Sequence, residues 1–94
     1  MLEIEFTNKM KRDARLMKKR GKDMSKLTKT LELLANREVM PERYKDHQLS
    51  GNLKDFRECH IEPDWLLMYQ IQKNKLLLSA SGTGTHSDLF SDKN

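Results

Sequence analysis

The apolar run Trp65–Gln72, which reads WLLMYQIQ, sets the architecture of the second half of the chain. Its aromatic and aliphatic residues predict a strand, and turn signals stand on both sides of it. Glu62-Pro63-Asp64 precedes it, and proline fixes its own φ and has no backbone N–H to donate to a sheet. Lys73-Asn74 is the turn that follows. The flanking segments Lys54–Ile61 and Leu76–Ser81 are therefore predicted as neighbouring strands of an antiparallel sheet.

The N-terminal part of the chain has a different period. Leu2–Phe6 alternates apolar and acidic residues, which predicts a short strand with one buried face. Thr7 is suited to cap a following helix, and Gly21 is suited to end it. The apolar residues of this helix recur at a spacing that places them on one face: Met10, Ala14 and Met17.

A second helix is predicted after a very short connection. Asp23 is its expected cap, and it should end near Arg37, before Pro41. Its apolar stripe consists of Leu27, Leu31 and Leu34. Two helices joined by so few residues are expected to pack as an antiparallel hairpin. Residues 41–53 are predicted as a loop with one strand turn, because turn-forming residues are frequent there.

The predicted element order is β-α-α-β-β-β, which indicates an α+β fold with a helical hairpin on one face of an antiparallel sheet. With 94 residues, the chain is expected to form a single domain over residues 1–94. Cys59 is the single cysteine, so no disulfide forms within the chain, and we interpret it as a small core residue. Neither a signal peptide nor a membrane span is evident, so we expect a cytoplasmic protein without a membrane partner.

The formal net charge is +4, and the basic residues concentrate in the first helix and just after it. Asp13 is the one acidic residue within the basic cluster, which consists of Lys11, Arg12, Arg15, Lys18, Lys19, Arg20 and Lys22. Such a cluster attracts a polyanion by counterion release, which makes its residues candidates for RNA binding. A solvated helix face with cations near its C-terminal end explains the same pattern.

Four residues of the second half are candidates for acid–base chemistry: His47, His60, Asp64 and His86. Loops and strand ends place side chains where they converge on a substrate without disturbing the core. Imidazole is suited to both proton transfers of metal-independent RNA cleavage, because its pKa lies near neutrality. Asp64 follows His60 across the predicted turn, so their side chains are expected to approach each other. The spacing forms no compact metal-ligand motif, so we expect no metal ion and no other cofactor.

Thr85-His86-Ser87-Asp88 matches a capping box and predicts a short helix over 87–90, with His86 at its start. Helix starts favour phosphate and lower the pKa of an imidazole, whereas the simpler interpretation is a capped terminal turn. Trp65 and Phe90 are candidates for stacking on unpaired bases. Packing in the core is the alternative for Trp65, and the apolar character of its strand favours it.

Three blocks of the sequence resemble one known family. They are Tyr44–Gly51 (YKDHQLSG), Phe56–Tyr69 (FRECHIEPDWLLMY) and Gly84–Phe90 (GTHSDLF). These blocks, in this order, resemble the YafQ-type toxins of the RelE superfamily, and the similarity covers nearly the whole chain. The resemblance implies a RelE-like fold, in which an N-terminal strand and a helical hairpin pack on an antiparallel sheet that ends in a short helical turn.

The resemblance also implies a function in a bacterial type II toxin–antitoxin module. Toxins of this family enter the ribosomal A site, contact ribosomal RNA and cut translated mRNA without a metal ion, leaving a 2′,3′-cyclic phosphate and a 5′-OH. A DinJ-like antitoxin neutralises them, and operator DNA is bound only through that complex. Matching positions imply that His86 is the general acid, and that His47 or His60, with Asp64, is the base. Trp65 and Phe90 match positions near the bound RNA.

One feature departs from the family pattern. An arginine that steadies the scissile phosphate is usual on the last strand, but residues 78–83 read LSASGT and contain no basic residue. Losing one preorganised cation costs on the order of 10²–10³ in rate, so we predict attenuated cleavage unless Arg57 or Lys45 takes over this role. Two alternatives remain open: a non-catalytic RNA- or ribosome-binding module, and a transcriptional co-repressor that depends on its antitoxin.

Overall fold

A computed structural model describes residues 1–90 of the chain. In chain order, the helices and strands are β1 (Glu3–Phe6), α1 (Asn8–Lys19), α2 (Met24–Ala35), β2 (His47–Gln48), β3 (Arg57–Glu62), β4 (Trp65–Gln72), β5 (Leu77–Gly84) and α3 (His86–Phe90). Single 3₁₀ turns precede β2, β3 and β5, at Glu42–Tyr44, Gly51–Leu53 and Lys73–Lys75. Among residues 1–90, no helix combines the length and apolar character needed to cross a bilayer.

Within residues 1–90 the strands form one five-stranded sheet with the order β1-β5-β4-β3-β2. The neighbours from β2 to β5 are antiparallel, as the sequence predicts. In contrast, β1 joins β5 in parallel, from Glu3 opposite Leu77 to Phe6 opposite Ala80. Almost the whole chain separates these two strands, so no tight turn requires them to be antiparallel. The α+β class is confirmed, and the sheet is mixed at this edge.

Both predicted helices begin at the expected caps. The Thr7 hydroxyl accepts a hydrogen bond from the backbone N–H of Met10 at 3.0 Å, and the Asp23 carboxylate accepts one from that of Ser25 at 3.0 Å. Gly21 follows the first helix with a φ of +84°, a conformation that favours glycine. The predicted apolar stripes lie in or against the core: Met10, Ala14, Met17, Leu27, Leu31 and Leu34.

The two faces of β3 have different roles because side chains alternate along a strand. Cys59 and Ile61 are buried in the core, which confirms the interpretation of Cys59 as a core residue. Glu58 and His60 occupy the alternate positions of the same strand. The pairing is irregular after His60, so that Glu62 lies opposite the core residue Trp65, and its carboxylate contacts Lys22 and Lys26 instead. The core therefore lies on one face of β3, and the other face carries the polar residues of the candidate site.

Two strand boundaries differ from the predictions by three residues, and the others agree to within one. β3 begins at Arg57 rather than Lys54, because residues 51–53 form a 3₁₀ turn that ends at Lys54. β5 extends to Gly84 instead of ending at Ser81, because Gly82 and Gly84 pair with Met68 and Leu66 of β4. Cross-strand pairing thus imposes an extended conformation on glycines that, taken locally, indicate the end of a strand.

Helix α1 supports the second half of β5, where β1 has already ended. The backbone N–H of Thr83 donates to the Asp13 carboxylate at 3.2 Å, and the Thr7 hydroxyl donates to the Ser81 carbonyl at 3.3 Å. These side chains supply hydrogen bonds that a neighbouring strand supplies elsewhere in the sheet. The end of β5, and the residues that follow it, are thereby held beside the start of α1.

Candidate active site

His60, Asp64 and His86 meet at one end of the sheet. The ring centroids of His60 and His86 are 5.8 Å apart. The Asp64 carboxylate accepts a hydrogen bond from the backbone N–H of His86 at 3.2 Å, and its Oδ1 lies 3.6 Å from Nδ1 of the same residue. The sequence places Asp64 beside His60, whereas its contacts in the structure are with His86. Asp64 is therefore a neighbour of both the backbone and the ring of His86.

The ring of His60 is held by a backbone group of the turn that follows β3. Its Nδ1 lies 3.1 Å from the carbonyl oxygen of Pro63. A carbonyl oxygen only accepts hydrogen bonds, so Nδ1 carries the proton of this contact. In the neutral ring Nε2 then holds a lone pair, which is what a general base requires.

His47 is paired with Glu58, a residue that the sequence analysis does not single out. The Nδ1 of His47 donates to the Lys45 carbonyl at 2.7 Å, and its Nε2 lies 3.2 Å from Glu58 Oε1. Glu58 is only 3% exposed, and its second carboxylate oxygen has no hydrogen-bond partner within residues 1–90. A neutral ring and an ionised carboxylate would present two lone pairs to each other, so one proton is shared by the pair.

His47 and Glu58 lie on the same side of the sheet as His60. His47 pairs with Glu58 across β2 and β3, and Glu58 is two residues before His60 on the same face of β3. Residues at such a spacing are about 7 Å apart along a strand. The four predicted catalytic residues thus share one side of the sheet, with Glu58 as a fifth member. Its alternation with His60 in the predicted strand is the sequence signal that points to it.

The capping box that positions His86 forms as predicted, although the short helix α3 begins at His86 itself. The backbone N–H of Thr85 donates to Asp88 at 2.9 Å, and that of Asp88 donates to the Thr85 hydroxyl at 3.1 Å. Arg20 at the end of α1 donates to both oxygens of Asp88, at 2.7 and 3.2 Å. The Arg20 guanidinium and the Thr85 amide hold the pKa of Asp88 well below its usual range.

Arg57, one of the two proposed substitutes for the missing arginine, does not lie on the catalytic face. It alternates with Glu58 on β3 and pairs across the strands with Tyr69. Its guanidinium donates to the Asp46 carboxylate at 3.0 Å, and the Tyr69 hydroxyl donates to the same carboxylate. Burial and the Asp46 carboxylate raise the pKa of Tyr69 well above its usual value. The expectation that Arg57 takes over at the phosphate is therefore wrong, because Asp46 already holds it on the opposite face.

The two aromatic candidates for base stacking differ in exposure. Trp65 is 0% exposed, and its indole N–H donates to the Thr83 hydroxyl at 2.9 Å. The prediction that Trp65 stacks on RNA is therefore wrong, and the alternative of core packing is confirmed. Phe90 is 36% exposed, and its ring centroid lies 6.0 Å from that of His86. Phe90 thus lies at the surface, beside the histidines.

The predicted basic contacts lie at two places on the surface. Lys45 is exposed, and it lines a small cavity together with His60. The basic residues of α1 are exposed as well: Lys11, Arg12, Arg15, Lys18 and Lys19. The structure therefore brings Lys45 to the histidine site, while the α1 residues form a separate charged surface on the helix.

β5 contains no basic side chain in place of the arginine that the family usually carries. Its Gly82, however, lies in line with residues of the candidate site. Gly82 lies opposite Met68, which pairs with Glu58, so that all three share one cross-strand row with His47. A Cβ atom at Gly82 would lie 3.1 Å from the ammonium of Lys9. Lys9 is itself paired with Asp13 at 2.7 Å, so its charge is already compensated.

The sequence model for the family described as "Bacterial toxin of type II toxin-antitoxin system, YafQ" matches residues 2–91. The chain belongs to the YafQ toxin family. It is 43% identical over 89 residues to the mRNA interferase toxin YafQ of Escherichia coli strain K12, an alignment that covers 94% of this chain and 95% of that protein. The family assignment drawn from the three sequence blocks is thereby confirmed.

Solved structures of YafQ-family toxins and related chains have the same fold. A metal-bound toxin from Helicobacter pylori superposes with a TM-score of 0.91 at 46% identity, covering 96% of this chain and 100% of that one. YafQ in the Escherichia coli DinJ–YafQ complex gives a TM-score of 0.87 at 41% identity, with 97% and 100% covered. The five-stranded sheet with its helices is therefore the fold of the family.

The metal in the Helicobacter pylori structure raises the question of whether this chain has a comparable ligand set. Within residues 1–90, no group of three or more His, Cys, Asp or Glu side chains is arranged to hold a metal ion. Oδ1 of Asp64 lies 3.6 Å from one His86 nitrogen, and the His60 Nδ1 faces a carbonyl. No catalytic step below passes through a metal ion.

Proposed function

We propose that this YafQ-family toxin is an endoribonuclease that cuts translated mRNA by acid–base catalysis. The observation that carries the proposal is the 5.8 Å separation of His60 and His86, with Asp64 beside His86. Two imidazoles at such a separation are suited to act on opposite sides of one phosphodiester. The E. coli relative is an mRNA interferase, which supports the same activity for this chain.

In the proposed mechanism, Nε2 of His60 takes the proton of the ribose 2′-OH, and the 2′-oxygen attacks the adjacent phosphorus. The P–O5′ bond breaks, and the protonated His86, with Asp64 beside it, gives its proton to the departing 5′-oxygen. The products are a 2′,3′-cyclic phosphate and a 5′-OH. His47 and Glu58 lie next to His60, so they are placed to stabilise the charge that develops on the phosphate and to accept the proton that His60 has taken up.

The activity is tested with purified protein and translating ribosomes. We expect cleavage of the translated mRNA, and a decrease of about 10²–10⁴-fold in His86→Ala. Ser87→Ala, at the neighbouring exposed position, is the matched control and should cleave at the wild-type rate. The same variants are also expressed in bacteria. Growth arrest that persists in His86→Ala would contradict the enzymatic proposal and favour a non-catalytic ribosome-binding protein.

Metal independence is part of the proposal, because the His60, Asp64 and His86 geometry supplies both proton transfers. Cleavage should therefore be unchanged after treatment with EDTA, and added Zn²⁺ or Mg²⁺ should not raise the rate. The 3′ ends should carry a 2′,3′-cyclic phosphate, which is detected by its resistance to phosphatase before mild acid treatment. Cleavage that EDTA abolishes and Mg²⁺ restores would overturn this part of the proposal.

The proposed partners follow the E. coli relative, which is found in complex with DinJ. We infer that a DinJ-like antitoxin neutralises this toxin in the cytoplasm, and that operator DNA is bound only by the complex. The exposed cations of α1 are suited to ribosomal RNA. Co-expression of the cognate antitoxin should restore growth, and gel-shift assays should show operator binding with the complex but not with the toxin alone.

A further inference from the structure

A small cavity adjoins the histidine site, and His60 lies in its wall. Its volume is about 350 Å³, near the lower end of the range for ligand pockets. His60, Ile61, Glu62 and Pro63 form one wall, and Arg43 and Lys45 form the other. Because His60 belongs both to this cavity and to the candidate active site, a chain bound at His60 extends directly into the cavity.

The charge of the cavity is positive although Glu62 lies in its wall. One carboxylate oxygen of Glu62 is 3.0 Å from the Lys22 ammonium, and the other is 2.8 Å from that of Lys26. These two contacts hold the pKa of Glu62 below its usual range and neutralise its charge. Within residues 1–90, neither Arg43 nor Lys45 forms an ion pair, so both cations remain for a ligand.

The Arg43 guanidinium is held in place before any ligand binds, and the backbone of Lys45 is fixed by the turn that it ends. The Arg43 guanidinium lies 4.5 Å from the ring centroid of Tyr44 and donates to the Tyr44 hydroxyl at 3.3 Å. Tyr44 is itself only 3% exposed, so it is a fixed support. Lys45 follows in a left-handed conformation (φ 47°), which ends the 3₁₀ turn and starts the segment that carries His47. Preorganised cations lose less entropy when they bind an anion.

From these observations we propose that the cavity binds the RNA phosphate next to the scissile one, with Arg43 and Lys45 as its cationic ligands. A guanidinium supported on one side by an aromatic ring offers its free edge to phosphate oxygens. The cavity holds one nucleotide unit and leaves the scissile bond at His60. This inference rests on the proposed RNA-cleaving function, and it assigns to Arg43 a role that the sequence analysis does not assign.

The test uses a short single-stranded RNA made non-cleavable by 2′-O-methylation. Its phosphates are replaced one at a time by neutral methylphosphonates, and the Kd of each RNA is measured for wild type and for Arg43→Gln. One replacement, next to the scissile position, should weaken wild-type binding about tenfold and leave the binding of Arg43→Gln unchanged. Equal effects of every replacement in both proteins would overturn the inference.

Salt dependence gives a readout that a purely structural role of Arg43 would not change. Arg43→Gln should reduce the slope of log Kd against log salt by about 0.7, which corresponds to one lost phosphate contact on a single strand. Arg43→Lys should keep the slope, and Lys75→Gln, at a different surface, is the matched control. If Arg43→Gln lowers the melting temperature, Lys45→Gln provides the same test. An unchanged slope in both folded variants would overturn the inference.

Cleavage by the wild type is measured in parallel, so that failure of the phosphate subsite can be distinguished from failure of the proposed nuclease activity. RNA that is cut without any coupling between Arg43 and a neighbouring phosphate overturns the subsite but not the nuclease. Coupling without cleavage overturns the nuclease and leaves a phosphate-binding surface at this cavity.

Discussion

Nε2 of His47 lies 3.2 Å from Oε1 of Glu58, while Nδ1 of the same ring donates to a backbone carbonyl. This pair holds one proton between a surface imidazole and a nearly buried carboxylate. Imidazole and carboxylate side chains both act as proton donors and acceptors in enzymes. The arrangement therefore adds a carboxylate to the acid–base group that the histidines form.

Glu58→Gln tests this pair. The amide keeps the shape of the side chain and donates to a neutral His47, but it removes the shared proton and the buried charge. We expect the rate of cleavage to fall about 10- to 100-fold, and the pH–rate profile to lose one limb. The melting temperature should stay the same or rise, because a partly desolvated charge is removed. Glu5→Gln, on exposed β1, is the control. A wild-type profile in Glu58→Gln would contradict a role for the pair.

The Arg20–Asp88 pair should hold α3, and with it His86, against the end of α1. Because the folded state lowers the pKa of Asp88, its contribution to stability is present above the unfolded value, about 4, and is lost as the pH falls towards the folded value. Wild type should therefore melt at a higher temperature than Asp88→Asn at pH 7, and the difference should shrink below pH 4. Thermal denaturation at both pH values checks this, and a difference that grows in acid would contradict it.

Asp46 anchors the segment that carries His47, and Tyr69 is its buried partner on β4. Tyr69→Phe removes one hydrogen bond to a charged group, so the free energy of unfolding should fall by about 1.5–3 kcal/mol. Since the anchor is loosened next to His47, kcat should fall several-fold while KM changes little. Urea denaturation and single-turnover kinetics measure the two effects. Ser79→Ala removes a buried hydroxyl outside this network and is the matched control, and equal losses in both variants would argue against a specific role for the anchor.

Gly82→Arg tests whether the departure from the family pattern limits the rate. Gly82 shares a cross-strand row with His47 and Glu58, so an arginine there would extend over the catalytic side of the sheet. The first obstacle is the Lys9 ammonium, the flexible end of a long side chain. We expect cleavage to increase by about 10- to 100-fold. Gly82→Ala, which adds the Cβ without the charge, should not increase it, and a decrease in both variants would show that this row does not contact the phosphate.

Local signals in the sequence were enough for most of the secondary structure. Thr7 and Asp23 cap their helices, Pro63 lies in a turn, and residues 85–88 form a capping box. These features were predictable because the groups that interact are within three residues of each other. The bounds of β4 agree with the prediction for the same reason, since a long apolar run between two turns leaves little choice.

Long-range contacts account for what the sequence did not predict. The parallel pairing of β1, the extension of β5 through Gly82 and Gly84, and the contact of Asp64 with His86 all join segments far apart in the chain. The role of Glu58 was hidden because an acidic residue in a half-exposed strand is ordinary until His47 is placed across from it. Arg57 was expected near the scissile phosphate, but alternation along β3 places it on the face away from the histidines.

The residues proposed for acid–base chemistry were therefore predictable from residue types and from the resemblance to a family, since His47, His60, Asp64 and His86 have suitable side chains wherever they lie. The side chains that contact these residues could not be predicted from the sequence. Which carboxylate faces which ring, and which cation remains for phosphate, depends on strand register and on burial. Those properties arise when β2, β3 and β5 come together, and no local pattern in the chain encodes the distances between them.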